Sequence, residues 1–240
     1  MALYSIADFI IDIRNKYNYL SKQCIEYEYV GADSADFTIQ VTDEQIQQER
    51  LVSNVACSNG YLESVCAYRE ICLSLPMHDA MLLHASVISF EDKVIAFLAR
   101  SGVGKTTHTM LWKQLYKDRV TVINGDKPIV RLFDGVPYAY GTPWAGKENL
   151  QSNKKAQLTD LCFIERSYDN ITLPADKSDC VALLLQQVLH PSEPEIAVKT
   201  LEIANALIDK CNLWTVKCNM SVQAAQVAHD TIFGGAANEA

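Results

Sequence analysis

The apolar and polar positions along the chain divide it into two textures. Residues 6–13, 24–30 and 37–41 are short runs rich in Ile, Val, Tyr and Phe, which predict strands, with Gly31 to Asp36 as the turn between the second and third. Thr42-Asp43-Glu44-Gln45 has the pattern of a capping box, a hydroxyl followed three residues later by a carboxamide, and so opens a helix over the polar segment Gln45 to Arg50. Leu62, Val65, Cys66 and Leu73 fall on one face of a helix predicted over Gly60 to Leu75, with Pro76 as its stop. This first third contains no constellation of reactive side chains.

From residue 80 the runs become more apolar. Met81 to Phe90 predicts one strand, Glu91-Asp92-Lys93 a tight turn, and Val94 to Leu98 a second strand. That second strand is apolar on both faces, as a central buried strand is. The loop Ala99 to Gly104 leads into a helix running to about Tyr116. Val120 to Ile123, Ile129 to Phe133 and Pro137 to Tyr140 predict three more strands, and Asp134-Gly135 between the last two is a hairpin signal. After a strand at Leu161 to Ile164 come two amphipathic helices. One carries Val181, Leu184, Leu185, Val188 and Leu189, the other Ile196, Ile203, Ala204, Leu207 and Ile208. Leu213 to Cys218 is a late strand, Ser221 caps a last helix, and the tail 234–240 is expected to fray. The pattern divides into a small N-terminal α+β region, 1–79, and an α/β domain, 80–233.

Composition narrows the function. The 240 residues are 49% hydrophobic and 21% charged, with a net charge of −8. An acidic chain repels nucleic-acid phosphate and anionic lipid at long range, so neither is an expected partner. No run of apolar residues is long enough to span a membrane, and the N-terminus lacks the basic segment of a signal peptide. The 8 Cys are scattered singly with no CxxC spacing, which reads as reduced, buried thiols of a cytoplasmic protein rather than a zinc site.

The segment Ala99-Arg100-Ser101-Gly102-Val103-Gly104-Lys105-Thr106 lies between the buried strand and a helix, which is the setting of a Walker A phosphate loop. Its glycines let successive N–H groups turn inward, and the helix N-terminus adds partial positive charge. Lys105 supplies a full charge for the β- and γ-phosphates, and the Thr106 hydroxyl is a magnesium ligand. Ser101, Gly102, Val103, Gly104, Lys105, Thr106 and Thr107 form the expected nucleotide cradle. The first glycine of the motif is replaced by Ala99, a change that matters only if that residue needs positive φ.

A phosphate loop needs a carboxylate near the metal. Asp126, just after the strand in Ile123-Asn124-Gly125-Asp126, is placed to hold magnesium or to take a proton from a hydroxyl. His84 lies in the strand before the loop strand. Gly141-Thr142-Pro143-Trp144-Ala145-Gly146-Lys147-Glu148 is a dense loop in which Trp144 offers a stacking surface and Lys147 a phosphate contact. Glu165-Arg166 ends another strand, as a local ion pair or a substrate contact.

Taken together, Leu-His-Ala-Ser at 83–86, Ser-Gly-Val-Gly-Lys-Thr-Thr at 101–107, Asn-Gly-Asp at 124–126 and Tyr-Gly-Thr-Pro-Trp-Ala-Gly-Lys at 140–147 resemble the C-terminal catalytic domain of HPr kinase/phosphorylase. The likeness extends to the phosphoenolpyruvate carboxykinase-like P-loop fold and is nearest to short Gram-positive members of the family. It covers about residues 80–220. The resemblance implies an α/β domain with a mixed sheet, and an ATP- and Mg2+-dependent kinase that moves the γ-phosphoryl to a hydroxyl of a peptide, protein or small molecule. It implies catalytic roles for Asp126, His84 and Lys105, and magnesium on Thr106 and Asp126. The first of the family's paired aspartates is Gly125 here, which leaves the general base open between Asp126 and His84. The alternative reading is an ATP-binding regulatory or assembly module of a peptide-modification pathway, without kinase chemistry. Oligomeric state and the acceptor are open.

Overall fold

The computed structural model describes residues 2–53 and 55–234. At the N-terminus, β1 (Ala2–Ile6) and β2 (Phe9–Ile13) form a hairpin, and α1 (Asn18–Gln23) and β3 (Phe37–Ile39) follow. The run 6–13 is thus not one strand. It contains the hairpin turn Ala7-Asp8, whose φ values of 55° and 58° bend the chain back on itself. The run 24–30 is not a strand either. A single 3-10 turn, Ile25–Tyr27, buries Cys24 and Tyr27 three positions apart.

Two helices come next, α2 (Asp43–Val52) and α3 (Asn59–Ser74). The expected capping box is formed. Gln45 N–H donates to Thr42 Oγ1 at 3.2 Å, and Thr42 N–H to Gln45 Oε1 at 2.8 Å. α3 ends at Ser74, just before Pro76 as expected, and the chain tightens into a 3-10 turn, Leu75–His78, with the proline in its first turn, where a missing N–H costs nothing.

The rest of the chain runs β4 (Ala80–Leu82), β5 (Ala85–Phe90), β6 (Lys93–Leu98), α4 (Lys105–Tyr116), β7 (Val120–Asn124), β8 (Ile129–Phe133), β9 (Val136–Tyr140), β10 (Lys155–Gln157), β11 (Asp160–Arg166), β12 (Ile171–Pro174), α5 (Lys177–Leu185), α6 (Pro194–Lys210), β13 (Asn212–Cys218) and α7 (Val222–Gly234). The six-stranded sheet has the order β12-β13-β11-β6-β5-β7. It is mixed: β13, β11 and β6 run parallel, while β12, β5 and β7 pair antiparallel. The expected strand 81–90 is two strands in two sheets. β4 pairs with β8 and β5 with β6, because Leu83 N–H and His84 N–H leave the ladder and donate to Pro128 O and Gln187 O. Asp134 and Gly135 make the expected tight hairpin at φ 49° and 75°. Gly234 ends α7, and the rest of the tail expected to fray, 235–240, lies outside the described residues.

The period-2 alternation of β6 explains the layers. Val94, Ala96 and Leu98 pack toward α5 and α6, with Leu184, Ile203 and Leu207. Ile95 and Phe97 point to the other face, where α4 and α7 bring Trp112, Ala225 and Ala228. A strand covered on both sides must be apolar throughout, as this one is. The four-stranded sheet β10-β9-β8-β4 bridges two cores. Val130 and Ala139 join the main one, while Ile129 and Tyr140 face the N-terminal sheet and α3. Residues 2–78 therefore share a core with the strands that follow.

Trp112 is fully buried, with its indole N–H donated to His108 Nε2 at 3.1 Å and its ring against Phe90, Phe97 and Tyr116. Removing so large a ring leaves a cavity the packed sheet cannot close. Trp112→Ala should lower unfolding free energy by about 3–5 kcal/mol, read by urea denaturation.

Candidate functional site

The loop leaves the C-terminal end of β6 and enters α4 at Gly104. Gly102 and Gly104 hold φ at 78° and 133°, conformations L side chains rarely adopt, and their sequence position is thereby explained. Ala99 is not among the positive-φ residues and is buried, so its methyl group replaces the motif's first glycine without backbone strain. Ser101 and Thr107 are exposed, Val103 and Thr106 half-buried, and Lys105 is buried at 6% exposure.

Lys105 turns back under the loop. Its Nζ donates to Ala99 O at 2.9 Å and lies 3.0 Å from His84 Nε2. The same His84 nitrogen is 3.3 Å from Asp126 Oδ1, and Asp126 Oδ2 is 3.1 Å from Lys127 Nζ. Lys105, His84, Asp126 and Lys127 thus make one continuous polar chain at the edge of the sheet. His84 Nε2 can accept from Lys105 or donate to Asp126, and the ring's tautomer decides which. Burial pushes Lys105 down to about 8, against the opposing pull of Asp126, with Lys127 adding to the depression. Burial acts to raise Asp126, but hydrogen bonding to His84 and the Lys127 charge outweigh it and hold the carboxyl below its ordinary value.

Asp126 is held by its neighbours in sequence. Asn124 is buried, and its Oδ1 accepts from the N–H groups of Asp126 at 2.9 Å and Lys127 at 2.7 Å. Its Nδ2 donates to Thr142 O and Thr142 Oγ1, both at 3.1 Å, tying this turn to the 141–149 loop. Gly125 is pressed against that loop. A Cβ here would lie 3.2 Å from Leu150 Cβ and 3.3 Å from Leu150 O. A side chain at this position would press on Leu150, which must shift by a few tenths of an ångström to admit it.

Trp144 is not a free stacking surface. It is 8% exposed, its indole N–H donates to Ser64 Oγ at 3.1 Å, and its ring lies 5.7 Å from Tyr68. The ring anchors the 141–149 loop to α3, and the residue also lines the cavity described next. Lys147 is exposed and lines that same cavity.

The cavity, about 940 Å³, is lined by Thr106, Asp126, Lys127 and the 143–149 loop on one side. On the other side α1 and α3 contribute Tyr19, Lys22, Tyr61 and Tyr68. It brings together the metal and base candidates Thr106 and Asp126, and it adds a wall that the sequence did not identify. No motif marked Tyr19, Tyr61 or Tyr68, because their role depends on how the N-terminal region folds over the later strands. Arg166, noted from its place at a strand end, bonds the loop itself: Nε donates to Val103 O at 3.2 Å and a second guanidinium N–H donates to Gly102 O.

No protein-family model matches the chain, and no curated protein matches it. Among solved structures, the Hpr(Ser) kinase/phosphatase from Coxiella burnetii is similar to it over 65% of this chain and 99% of its own, at 8% identity and a TM-score of 0.38. A likeness that slight leaves the site to be argued from its own geometry. Among the described residues no helix is long and apolar enough to cross a membrane.

The depressed Lys105 has a measurable consequence. Below pH 8 the ammonium is charged in both states, and folding bears the full cost of burying it. Between pH 8 and the ordinary value of 10.5 the unfolded chain binds more protons, so stability gains with pH. The stability of wild type relative to Lys105→Met should therefore rise across that interval and level off above it, in urea denaturation at a series of pH values.

Proposed function

We propose that the protein is an ATP-dependent phosphotransferase that moves the γ-phosphoryl of ATP to a hydroxyl. The observation that carries the reading is a buried Lys105 at the start of α4, inside a loop bent by two positive-φ glycines, next to one cavity shared by Thr106 and Asp126. Phosphate oxygens replace Ala99 O as partners of the Lys105 ammonium, and the loop N–H groups and the N-terminus of α4 face the same anion.

Magnesium fits the donors present. Thr106 offers a hydroxyl and Asp126 a carboxylate, both hard oxygen ligands, and they line one cavity. Among the described residues no group of three or more His, Cys, Asp and Glu gathers into a metal cage. That suits an ion held by one or two side chains and completed by phosphate and water. When bound, it offsets charge on the phosphates.

The acceptor hydroxyl comes from the large cavity, whose far wall is built by α1 and α3. Its oxygen forms the new bond to phosphorus as the bond to the ADP oxygen breaks, and the hydroxyl proton goes to Asp126 or to His84. A weak base suffices, since in a loose transition state the proton leaves late. Lys105 stabilises the transferred group throughout.

The second reading is an ATP-binding module without transfer chemistry. Two observations favour it: Gly125, crowded by Leu150, supplies no second acid beside Asp126, and the partners of Asp126 depress its basicity. Single-turnover assays with radiolabelled ATP separate the two. Wild type is expected to release ADP, Lys105→Ala to lose it with an unchanged circular dichroism spectrum, and Asp126→Asn to slow it by about 10²-fold or more. Tight ATP binding with no ADP formed, alone or with hydroxyl-bearing peptides and small molecules, would establish the module instead.

A further inference from the structure

The phosphate loop lies between two hollows, and only one of them is the cavity described above. That cavity lies on the β7 side of β6, where Asp126 follows β7. The second, about 350 Å³, lies on the β11 side, lined by Ala99, Arg100 and Val103 of the loop, Phe163 to Arg166 of β11, and Leu183, Gln186 and Gln187 at the end of α5. Strand register explains why it exists. β11 pairs with β6 up to Phe163 opposite Leu98, and the residues after Phe163 run on beside the loop with no β6 partner. The hollow is therefore a crevice beyond the carboxyl ends of two parallel strands, where α/β sheets place ligands.

A nucleotide held by the loop has two ends, and they leave on different sides. Thr106 and Asp126 fix the reactive phosphate end to the first cavity. The geometry points to the second hollow as the site of the nucleoside, with the Gln187 carboxamide reading the edge of an adenine base and Arg166 beside it; this rests on the loop's binding a nucleoside triphosphate.

The chemistry of the lining fits. Leu98, Phe163, Ile164 and Leu183 give an apolar bed for a flat ring. Gln187 is 6% exposed, and its Oε1 is shut away from solvent with no hydrogen-bond partner. A buried carboxamide oxygen without a partner is a cost the free protein carries, and a small rotation onto a base would relieve it. A carboxamide also offers the donor–acceptor pair that matches the amino group and adjacent ring nitrogen of adenine. Arg100 and Arg166 stand at the loop side. Arg100 Nε donates to Gln186 Oε1 at 3.1 Å, and Arg166 is bonded to the loop carbonyls, so both guanidinium groups are held beside the space a base would fill. The Gln187 carbonyl oxygen accepts from His84 N–H at 2.7 Å, and His84 in turn meets Asp126, which lines the first cavity.

Calorimetric titration with magnesium and either ATP or inorganic tripolyphosphate tests this on the full chain. Tripolyphosphate reports the loop alone, and the ATP advantage over it reports the nucleoside site. Wild type is expected to bind ATP at least about tenfold more tightly than tripolyphosphate. Gln187→Leu, which deletes an unpaired polar group at nearly constant volume, should cut that advantage by about three- to tenfold, leave tripolyphosphate binding unchanged and leave stability equal or higher. Leu183→Trp, which fills the hollow, should abolish the advantage. ATP binding unaltered in both variants would overturn the assignment while leaving the phosphate loop standing. Failure of wild type to bind tripolyphosphate would overturn the loop reading and this one together.

Discussion

One ammonium group kept out of water organises this molecule. Lys105 opens α4, and its ammonium turns back to the end of a strand that is apolar on both faces, where the core below offers it little solvation. Among the described residues its hydrogen-bond partners are at the sheet edge: the Ala99 carbonyl and the ring of His84. His84 in turn meets Asp126, and Asp126 is fixed by the Asn124 turn. The arrangement is a cation whose burial depresses its basicity, held beside a carboxylate turn at the sheet edge.

The same constraint ties the sheet to the helices that cover the cavity. Asn124 holds Thr142, the 141–149 loop carries Trp144, and Trp144 is hydrogen-bonded to Ser64 on α3. A path of buried polar contacts thus runs from the Asp126 turn to the N-terminal region. Buried polar groups of this kind cost free energy unless each finds its partner, so they fix one geometry more sharply than apolar packing alone. The N-terminal region is accordingly part of the site's wall through shared core and shared hydrogen bonds.

Several elements were legible without the fold because their signals are local. The capping box at Thr42, the tight turn at Asp134-Gly135 and the glycines at 102 and 104 all depend on chemistry within a few residues. Other segments misled for an equally physical reason. Met81 to Phe90 is apolar throughout, and a run buried in either of two sheets looks the same; the break at Leu83-His84 is made by Pro128 and Gln187, far along the chain. The run 24–30 had strand-like composition, yet it pairs only through one bridge, Tyr4 with Glu28, and its burial follows a three-residue turn. Ala7-Asp8 lacks the usual glycine or asparagine of a hairpin turn and so gave no warning.

The sequence by itself determined the glycine-bent loop at 99–106, its buried strand and helix, and the grouping of that loop with His84 and Asp126 as candidates, since these are set by spacing and by residue chemistry. It also flagged Gly125 as a departure. Only the tertiary structure shows what surrounds that departure, because the residue that would crowd a side chain there is Leu150, twenty-five residues later. It likewise decided that Trp144 is an anchor, that α1 and α3 wall the cavity, and that a second hollow opens beside β11. Those outcomes depend on contacts between distant segments, and long-range contacts leave no periodicity or spacing for a sequence to display.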